Sequence, residues 1–323
     1  MQNVLQKDGF MDYICVIGGA NVDITCVPYE KLRLKDSNPG RVGVCCGGVG
    51  RNIAENLSRL GQNVKLITAL GNDANANYIL KNARLNNIDL SFAAKTDLPT
   101  SCYIAMDDVD GDMFVSLSAM DCMNALDENY LKSVMDIING AKCVVADSNL
   151  TQGLVYLLQN VRVPVFFDAV SCSKLSKCKE RLQNVFCLKV NRDEAFELSG
   201  TKVTDEQSAK RCFDKTDGIA NLFVSCGADG VYCVNSSGVA KVDCIPSKSV
   251  NANGAGDSFF AGCIWGYVNE LDMLGSAQIG CACGSITVSS EETVSDKLDS
   301  ITAQKHVADF YKKSVNGFLW QKA

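Results

Sequence analysis

Short apolar runs alternate with stretches of helical period along most of the chain. The runs are Tyr13 to Ile17, Val64 to Thr68, Cys143 to Ala146, Val163 to Phe167, Val185 to Val190 and Leu222 to Ser225. Between them lie segments such as Arg51 to Leu60, where Ile53, Leu57 and Leu60 fall at i, i+4 and i+7 on one helical face. Strand and helix signals in alternation predict an α/β fold with a doubly wound, mostly parallel sheet over residues 12–300. Two segments break the rhythm. Gly40 to Cys46 is short and strand-like, and Ser101 to Ser118 reads as a hairpin around a turn at Val109-Asp110-Gly111. With parts of residues 22–40 they predict a small separate sheet, a lid formed by about 22–46 and 98–118. A lid over the carboxyl edge of the main sheet would exclude water during group transfer. Residues 301–323 are expected to form a C-terminal helical segment, and no internal repeat is visible.

Composition narrows the class. The chain has 323 residues, 47% hydrophobic and 21% charged, which is ordinary globular usage. Lys and Arg total 31 against 37 Asp and Glu, and the basic residues are scattered, so the chain lacks the footprint of a nucleic-acid or anionic-membrane binder. No apolar run reaches the roughly 20 residues of a membrane span. Seventeen cysteines would suggest a disulfide scaffold in a short secreted chain. Here the chain is long, the cysteine count is odd and the opening MQNVLQKDGFMDY is polar, so a cytoplasmic protein with reduced thiols is expected. Zinc is not expected, since C-x-x-C is absent and His306 is the only histidine. Most of the cysteines read as small buried hydrophobes.

Three glycine-containing segments carry candidate chemistry. Asn251-Ala252-Asn253-Gly254-Ala255-Gly256-Asp257 runs directly into an apolar helical stretch, so the amides of Gly254, Ala255 and Gly256 can converge on an anion at a helix start. Asp257, in the first turn, is poorly placed to bind an anion but well placed to take a proton from an attacking hydroxyl. On these residues alone, a mere helix cap is an equal reading. Gly18 to Asp23 (GGANVD) and Gly47 to Asn52 (GGVGRN) are the other two. A dinucleotide fingerprint does not account for them, because the G-x-G-x-x-G spacing after the first strand is absent. Asn191-Arg192-Asp193-Glu194 follows the strand-like run Val185 to Val190 and reads as a helix start, with Asn191 as cap and Glu194 as its capping-box partner. Asp168 ends a strand, where open α/β sheets place ligands. Lys174 by itself reads as a surface lysine.

Taken together these segments resemble the ribokinase-like (PfkB) carbohydrate and nucleoside kinase family, in order, from about Asp12 to Val294. The last segment resembles the signature D-T-x-G-A-G-D, with Asn251 and Asn253 departing from it. The resemblance implies a ribokinase-like fold and a phosphotransferase with an alcohol acceptor, using ATP and Mg2+. It also implies a monovalent cation such as K+, at the loop where those two asparagines depart. It makes Asp257 the catalytic base and Gly254, Ala255 and Gly256 the anion hole. It assigns the substrate to Asn21, Asp23, Gly47, Gly48, Asn52, Asn149, Asp168 and Lys174. Asn191, Ser225, Gly227 and Gly230 fall to the nucleotide and Glu194 to the metal, with the helix from Gly280 to Val288 bordering adenine.

Within the family, the strings IGGANVDI, GGVGRNIAENLSRLG, ADSNL and DAVSCSK are most similar to pseudouridine kinases, which implies phosphorylation of the 5′-hydroxyl of pseudouridine. Other sugar or nucleoside acceptors, and a non-catalytic sugar- or nucleotide-binding protein, are the alternatives. A small-molecule nucleoside or sugar is the expected partner, with no nucleic acid and no membrane. An exposed hairpin edge in the lid suggests a homodimer formed through it.

Overall fold

The structure is a computed structural model that describes residues 12–110, 112–311 and 318–321. In chain order its strands are β1 (Ile14–Ile17), β2 (Asn21–Pro28), β3 (Gly40–Gly47), β4 (Val64–Ile67), β5 (Ala69–Leu70), β6 (Ile88–Asp89), β7 (Ala94–Lys95), β8 (Cys102–Asp107), β9 (Met113–Ala119), β10 (Val144–Asp147), β11 (Val165–Asp168), β12 (Val185–Asn191), β13 (Ile219–Ser225), β14 (Val231–Asn235) and β15 (Gly238–Val242). The helices are α1 (Val49–Arg59), α2 (Ala74–Leu85), α3 (Glu128–Asn139), α4 (Leu154–Asn160), α5 (Cys172–Leu175), α6 (Arg192–Ser199), α7 (Glu206–Phe213), α8 (Ala255–Val268), α9 (Met273–Val288) and α10 (Ser300–Phe310).

Nine strands form the main sheet in the order β15-β14-β13-β12-β11-β10-β1-β4-β6. Pairing is parallel from β6 to β13 and antiparallel at β13-β14-β15. Both faces are covered, as β1 shows: Ile14 and Val16 join one apolar cluster, while Cys15 and Ile17 join the other. A strand buried on both sides has no reason to alternate apolar with polar residues, so the short unbroken apolar runs become the sheet. The cysteines pack as expected. Cys15, Cys143, Cys187, Cys263 and Cys283 are fully buried, none of the seventeen is disulfide-bonded, and burial pushes the Cys15 thiol up to about 12, where it is inert.

The lid is a separate four-stranded sheet, β3-β2-β8-β9. The hairpin expected at 101–118 is β8-β9, and Gly111 of its turn lies outside the described residues. Directly opposed residues share a face, and the pairs Ile24–Val44, Cys26–Val42, Ile104–Leu117 and Met106–Val115 make one face apolar throughout. Pairing of β2 with β8 joins these pairs into one surface. The opposite face carries Asp23, Tyr103, Ser116 and Ser118.

The helical expectation for 301–323 holds for residues up to Phe310, which lie in α10. α10 stops at Phe310, and 312–317 and 322–323 lie outside the described residues. Phe318 to Gln321 are not helical. They return to the main sheet, where Trp320 meets the rings of Phe166, Phe186, Phe223 and Tyr267 at 5.4–5.8 Å. Packing of the indole edge-on against aromatic rings holds this segment on the sheet. Among the described residues no helix is long and apolar enough to cross a membrane.

Candidate active site

The site is assembled at the carboxyl ends of the parallel strands, and a buried aspartate that was not singled out in the sequence ties it together. Asp147 ends β10 and is 1% exposed. Its Oδ2 accepts N–H bonds from Gly19 and Gly50, each 2.9 Å, and its Oδ1 accepts one from Asn149 at 2.8 Å. One carboxylate thus joins the exit of β1, the start of α1 and the loop after β10. Burial raises its pKa, and these N–H bonds oppose the rise. A Cβ at Gly18 would stand 2.5 Å from Asp147 Oδ2, so glycine is required there. Gly48, with φ of 96°, opens α1 in a conformation that a side chain resists, and its Cβ position is 2.4 Å from the Gly19 carbonyl.

At the other end of the chain, α8 begins at Gly254 in the left-handed conformation, with φ of 77° and no side-chain cap. Asp257 therefore does not cap the helix, and the capping reading is set aside. Its Oδ2 instead accepts an N–H bond of 2.7 Å from Asn52 Nδ2 on α1. Asp257 is 8% exposed, and its carboxyl is pushed up to about 7. Burial is the main cause and Asp168 adds to it, while Lys189, Asn52 and Arg51 pull the other way. A carboxyl of that pKa is suited to proton transfer near neutrality.

Lys189, on β12, is a further residue that the sequence did not single out. It is 7% exposed, its Nζ donates to Asp168 Oδ2 at 3.0 Å, and a Cβ at Gly256 would lie 3.0 Å from that Nζ. Burial acts against its charge, but the carboxylates of Asp168, Glu194 and Asp257 outweigh burial and make the ammonium harder to deprotonate than an ordinary lysine. The signal was a lone lysine inside an apolar run in the middle of the sheet, where a charge must be paired.

Asn191 and Glu194 form the expected capping box at α6: Glu194 N donates to Asn191 Oδ1 at 2.9 Å, and Asn191 N to Glu194 Oε2 at 2.8 Å. Glu194 is 2% exposed, and burial raises its pKa against the pull of Lys189. Ser225, Gly227 and Gly230 line a cavity of about 630 Å³ that is closed by Gly256, Phe259 and Ser285. Asn191 does not reach its wall. Lys174 is not a free surface lysine. It is half-buried, its Nζ donates to Asn149 Oδ1 at 2.6 Å, and burial lowers its pKa. Asp23 sits on the lid, where its Oδ1 takes an N–H bond from Asn21 and a Cβ at Gly47 would collide with its carboxylate.

These positions form two groups. Asp168, Glu194, Asp257 and Gly256 meet around Lys189, and Asn52 is bonded to Asp257. Asn149 and Lys174 form a second polar pair near Asp147.

The pattern of the pfkB family carbohydrate kinases matches residues 11–300. The chain belongs to that family. It is a phosphotransferase with an alcohol group as acceptor, and as a kinase it binds ATP. Pseudouridine kinase of Escherichia coli K12 is 34% identical over 289 residues, covering 87% of this chain and 92% of that one. Guanosine-inosine kinase of Exiguobacterium acetylicum is 25% identical, over 90% of this chain and 100% of its own. Among solved structures, a carbohydrate kinase from Agrobacterium tumefaciens superposes with a TM-score of 0.79 at 25% identity, covering 96% of this chain and 99% of that one. Arabidopsis thaliana ribokinase complexed with ribose and ATP superposes with a TM-score of 0.80 at 20% identity over 92% and 98%, a likeness of fold.

Proposed function

We propose that this kinase transfers the γ-phosphoryl group of ATP to the 5′-hydroxyl of pseudouridine, giving pseudouridine 5′-phosphate and ADP. The observation that carries the acceptor is the 34% identity, over most of both chains, to E. coli pseudouridine kinase. The chemistry rests on Asp257, held by Asn52 at the start of α8. Its carboxylate takes the 5′-hydroxyl proton as the oxygen–phosphorus bond forms and the bond to the ADP oxygen breaks. The Gly254 to Gly256 amides and the Lys189 ammonium face the charge that develops on the transferred group. Asp23, Asn21, Gly47, Gly48 and Asn52 hold the ribose, Asn149 and Lys174 lie toward the base, and Asp168 steadies Lys189. ATP occupies the cavity beside Ser225, Gly227 and Gly230.

Among the described residues no cluster of three or more His, Cys, Asp or Glu side chains is arranged to hold a metal. Glu194, a buried carboxylate beside Lys189, would hold Mg2+ through water, the rest of the ion's shell coming from phosphate and solvent. When bound, the ion neutralises phosphate charge. Where the resemblance put a monovalent cation, Asn251 Nδ2 donates to the Glu291 carbonyl at 2.9 Å, tying the loop before α8 to the one after α9. Seventeen free thiols suit the reducing cytoplasm, where fractionation should find the protein.

A panel of pseudouridine, uridine, guanosine and ribose in a coupled ADP-release assay tests the acceptor. Pseudouridine is expected to give kcat/KM at least ~10-fold above uridine, the discrimination that buried polar groups reading one base face can supply. Chelating Mg2+ with EDTA should stop turnover. Equal or faster turnover of ribose or guanosine would remove the pseudouridine assignment, and no turnover of any acceptor would point to a binding protein.

The lid supports a homodimer, through its face rather than its edge. Val42 and Leu117 are 63% and 60% exposed on the wholly apolar side, opposite Asp23. A patch of this kind on a folded protein calls for a partner, and a two-fold pairing of identical patches satisfies it. Sedimentation equilibrium at micromolar concentration should give a dimer, and Val44→Lys with Leu117→Lys a monomer. A monomeric wild type would rule this out.

A further inference from the structure

A continuous chain of polar side chains runs from the surface of α1 to Asp257, and the function proposed above gives its members Arg59, Glu55 and Arg51 no task. Arg59 donates to Glu55 Oε1 through Nε at 3.1 Å and through Nη2 at 2.9 Å. Glu55 Oε2 accepts from Arg51 Nη1, and Arg51 Nη2 donates both to the Cys46 carbonyl and to Asn52 Oδ1. Asn52 Nδ2 then donates to Asp257 Oδ2 at 2.7 Å. Arg51, Glu55 and Asn52 are 3%, 4% and 5% exposed. A buried ion pair contributes little net stability compared with an apolar pair of the same volume, so its presence beside a reacting carboxylate suggests a different role.

That role follows from donor and acceptor chemistry. A guanidinium has donors and no acceptors, so the amide edge of Asn52 that faces Arg51 must be its oxygen. The edge left for Asp257 is therefore the N–H edge. An N–H donor favours a carboxylate that is charged. If Asp257 were protonated, the better partner would be the amide oxygen, but turning the amide would set Nδ2 against the guanidinium, donor against donor. We propose that Arg51 is a positioning residue: by holding Oδ1 of Asn52 it locks that amide with its N–H on Asp257, and so keeps the base charged and aimed at the acceptor hydroxyl.

The other groups around Asp257 do not substitute for this lock. Asp168 on β11 and Glu194 on α6 oppose its charge, and Lys189 on β12 favours it without touching the Asn52 amide. Asp23 on β2 and Cys46 on β3 face Arg51 rather than Asp257. The inference rests on Asp257 as the base, and the test separates the two. kcat/KM is measured against pH for wild type, for Arg51→Met with Glu55→Met as a matched apolar pair, for Arg51→Lys and for Asp257→Asn.

Losing one hydrogen bond to a charged group should move the acid limb of the double variant upward by about 1–2 pH units. Most of the lost activity should return on the alkaline side, and the KM for ATP should change little. Arg51→Lys keeps a donor-only cation but cannot span Glu55, Cys46 and Asn52 at once, so its limb should move in the same direction by less. Unmoved limbs in the folded variants, with activity lower by one factor at every pH, would make Arg51 merely structural and overturn the proposal. Should the double variant fail to fold, Arg51→Lys decides alone, with an unmoved limb as the adverse result. Near-wild-type turnover of Asp257→Asn would instead sink the base assignment, whatever Arg51 does.

Discussion

Asp257→Asn is expected to lower kcat by about 10²–10⁴-fold while leaving the fold and both ligand affinities in place, the range that general-base catalysis contributes. Asparagine keeps the size of the side chain and can still accept the N–H of Asn52 through its own amide oxygen. What it loses is the ability to take a proton. Wild-type kcat/KM should fall below a pH of about 7, tenfold for each further unit, because the protonated acid cannot act as base. The variant's residual rate should not follow that limb.

Stability should move the other way. The carboxyl of Asp257 is raised in the fold to about 7, while in the unfolded chain it titrates near 4. Its protonated form is therefore favoured by folding, and that stability is present below about 4 and lost as pH rises through about 7. Asparagine carries no charge at any of these values. Asp257→Asn should thus melt above the wild type in mildly alkaline buffer, with the gap closing as the solution is acidified. Thermal melts across pH and a coupled assay on one preparation check both halves. Turnover close to wild type would end the catalytic assignment, and a melting temperature below wild type at every pH would contradict the burial argument.

The second large effect is expected at Lys189. Methionine at this position keeps the length of the side chain but removes the cation between Asp168, Glu194 and Asp257. Loss of a fixed positive group facing the transferred phosphoryl should cost about 10²–10³-fold in kcat. Leaving buried carboxylates without their cation should also cost about 3–5 kcal/mol of stability. That deficit should be greatest in alkaline buffer and shrink in acid, since protonating the carboxylates removes their mutual repulsion. Lys189→Arg, which keeps the charge, should recover most of the stability but less of the rate, because a planar guanidinium does not fit where Nζ lies 3.0 Å from the space above Gly256. A Lys189→Met enzyme with ordinary turnover would reduce Lys189 to a structural counter-ion.

Much of this molecule was legible along the chain. The apolar runs Tyr13 to Ile17, Cys143 to Ala146, Val163 to Phe167 and Val185 to Val190 supply the strands β1, β10, β11 and β12, because the side chains in those strands are buried on one face or the other. Two strand-like runs around the turn at Val109-Asp110-Gly111 marked the lid hairpin, whose strand β9 is an exposed edge and whose apolar face, with Ile104 opposite Leu117, the local pattern did not show. The glycine segments pointed to both halves of the site. Asp147, Lys189 and Arg51 went unread for one reason. Each lies within or directly after a stretch read as strand or helix, and what gives it meaning, its burial and its link to residues distant in sequence, appears only on folding. The Asp147 carboxylate binds Gly19, 128 residues away, and Gly50, 97 residues away.

The sequence by itself determined the elements, since hydrophobic periodicity is a local property that each segment carries wherever it packs. It also determined the inventory of groups able to bind an anion or move a proton. The order of strands decided the rest. α1, in the connection from β1 to its parallel neighbour β4, packs against α8, which follows the antiparallel strand β15, so Asn52 meets Asp257 across 205 residues. Burial then sets the chemistry, because a carboxyl's affinity for its proton depends on the water removed from it and the charges left beside it. Both are properties of the packed molecule: no spacing of letters fixes how deep Asp257 lies or that Lys189 comes up beneath it.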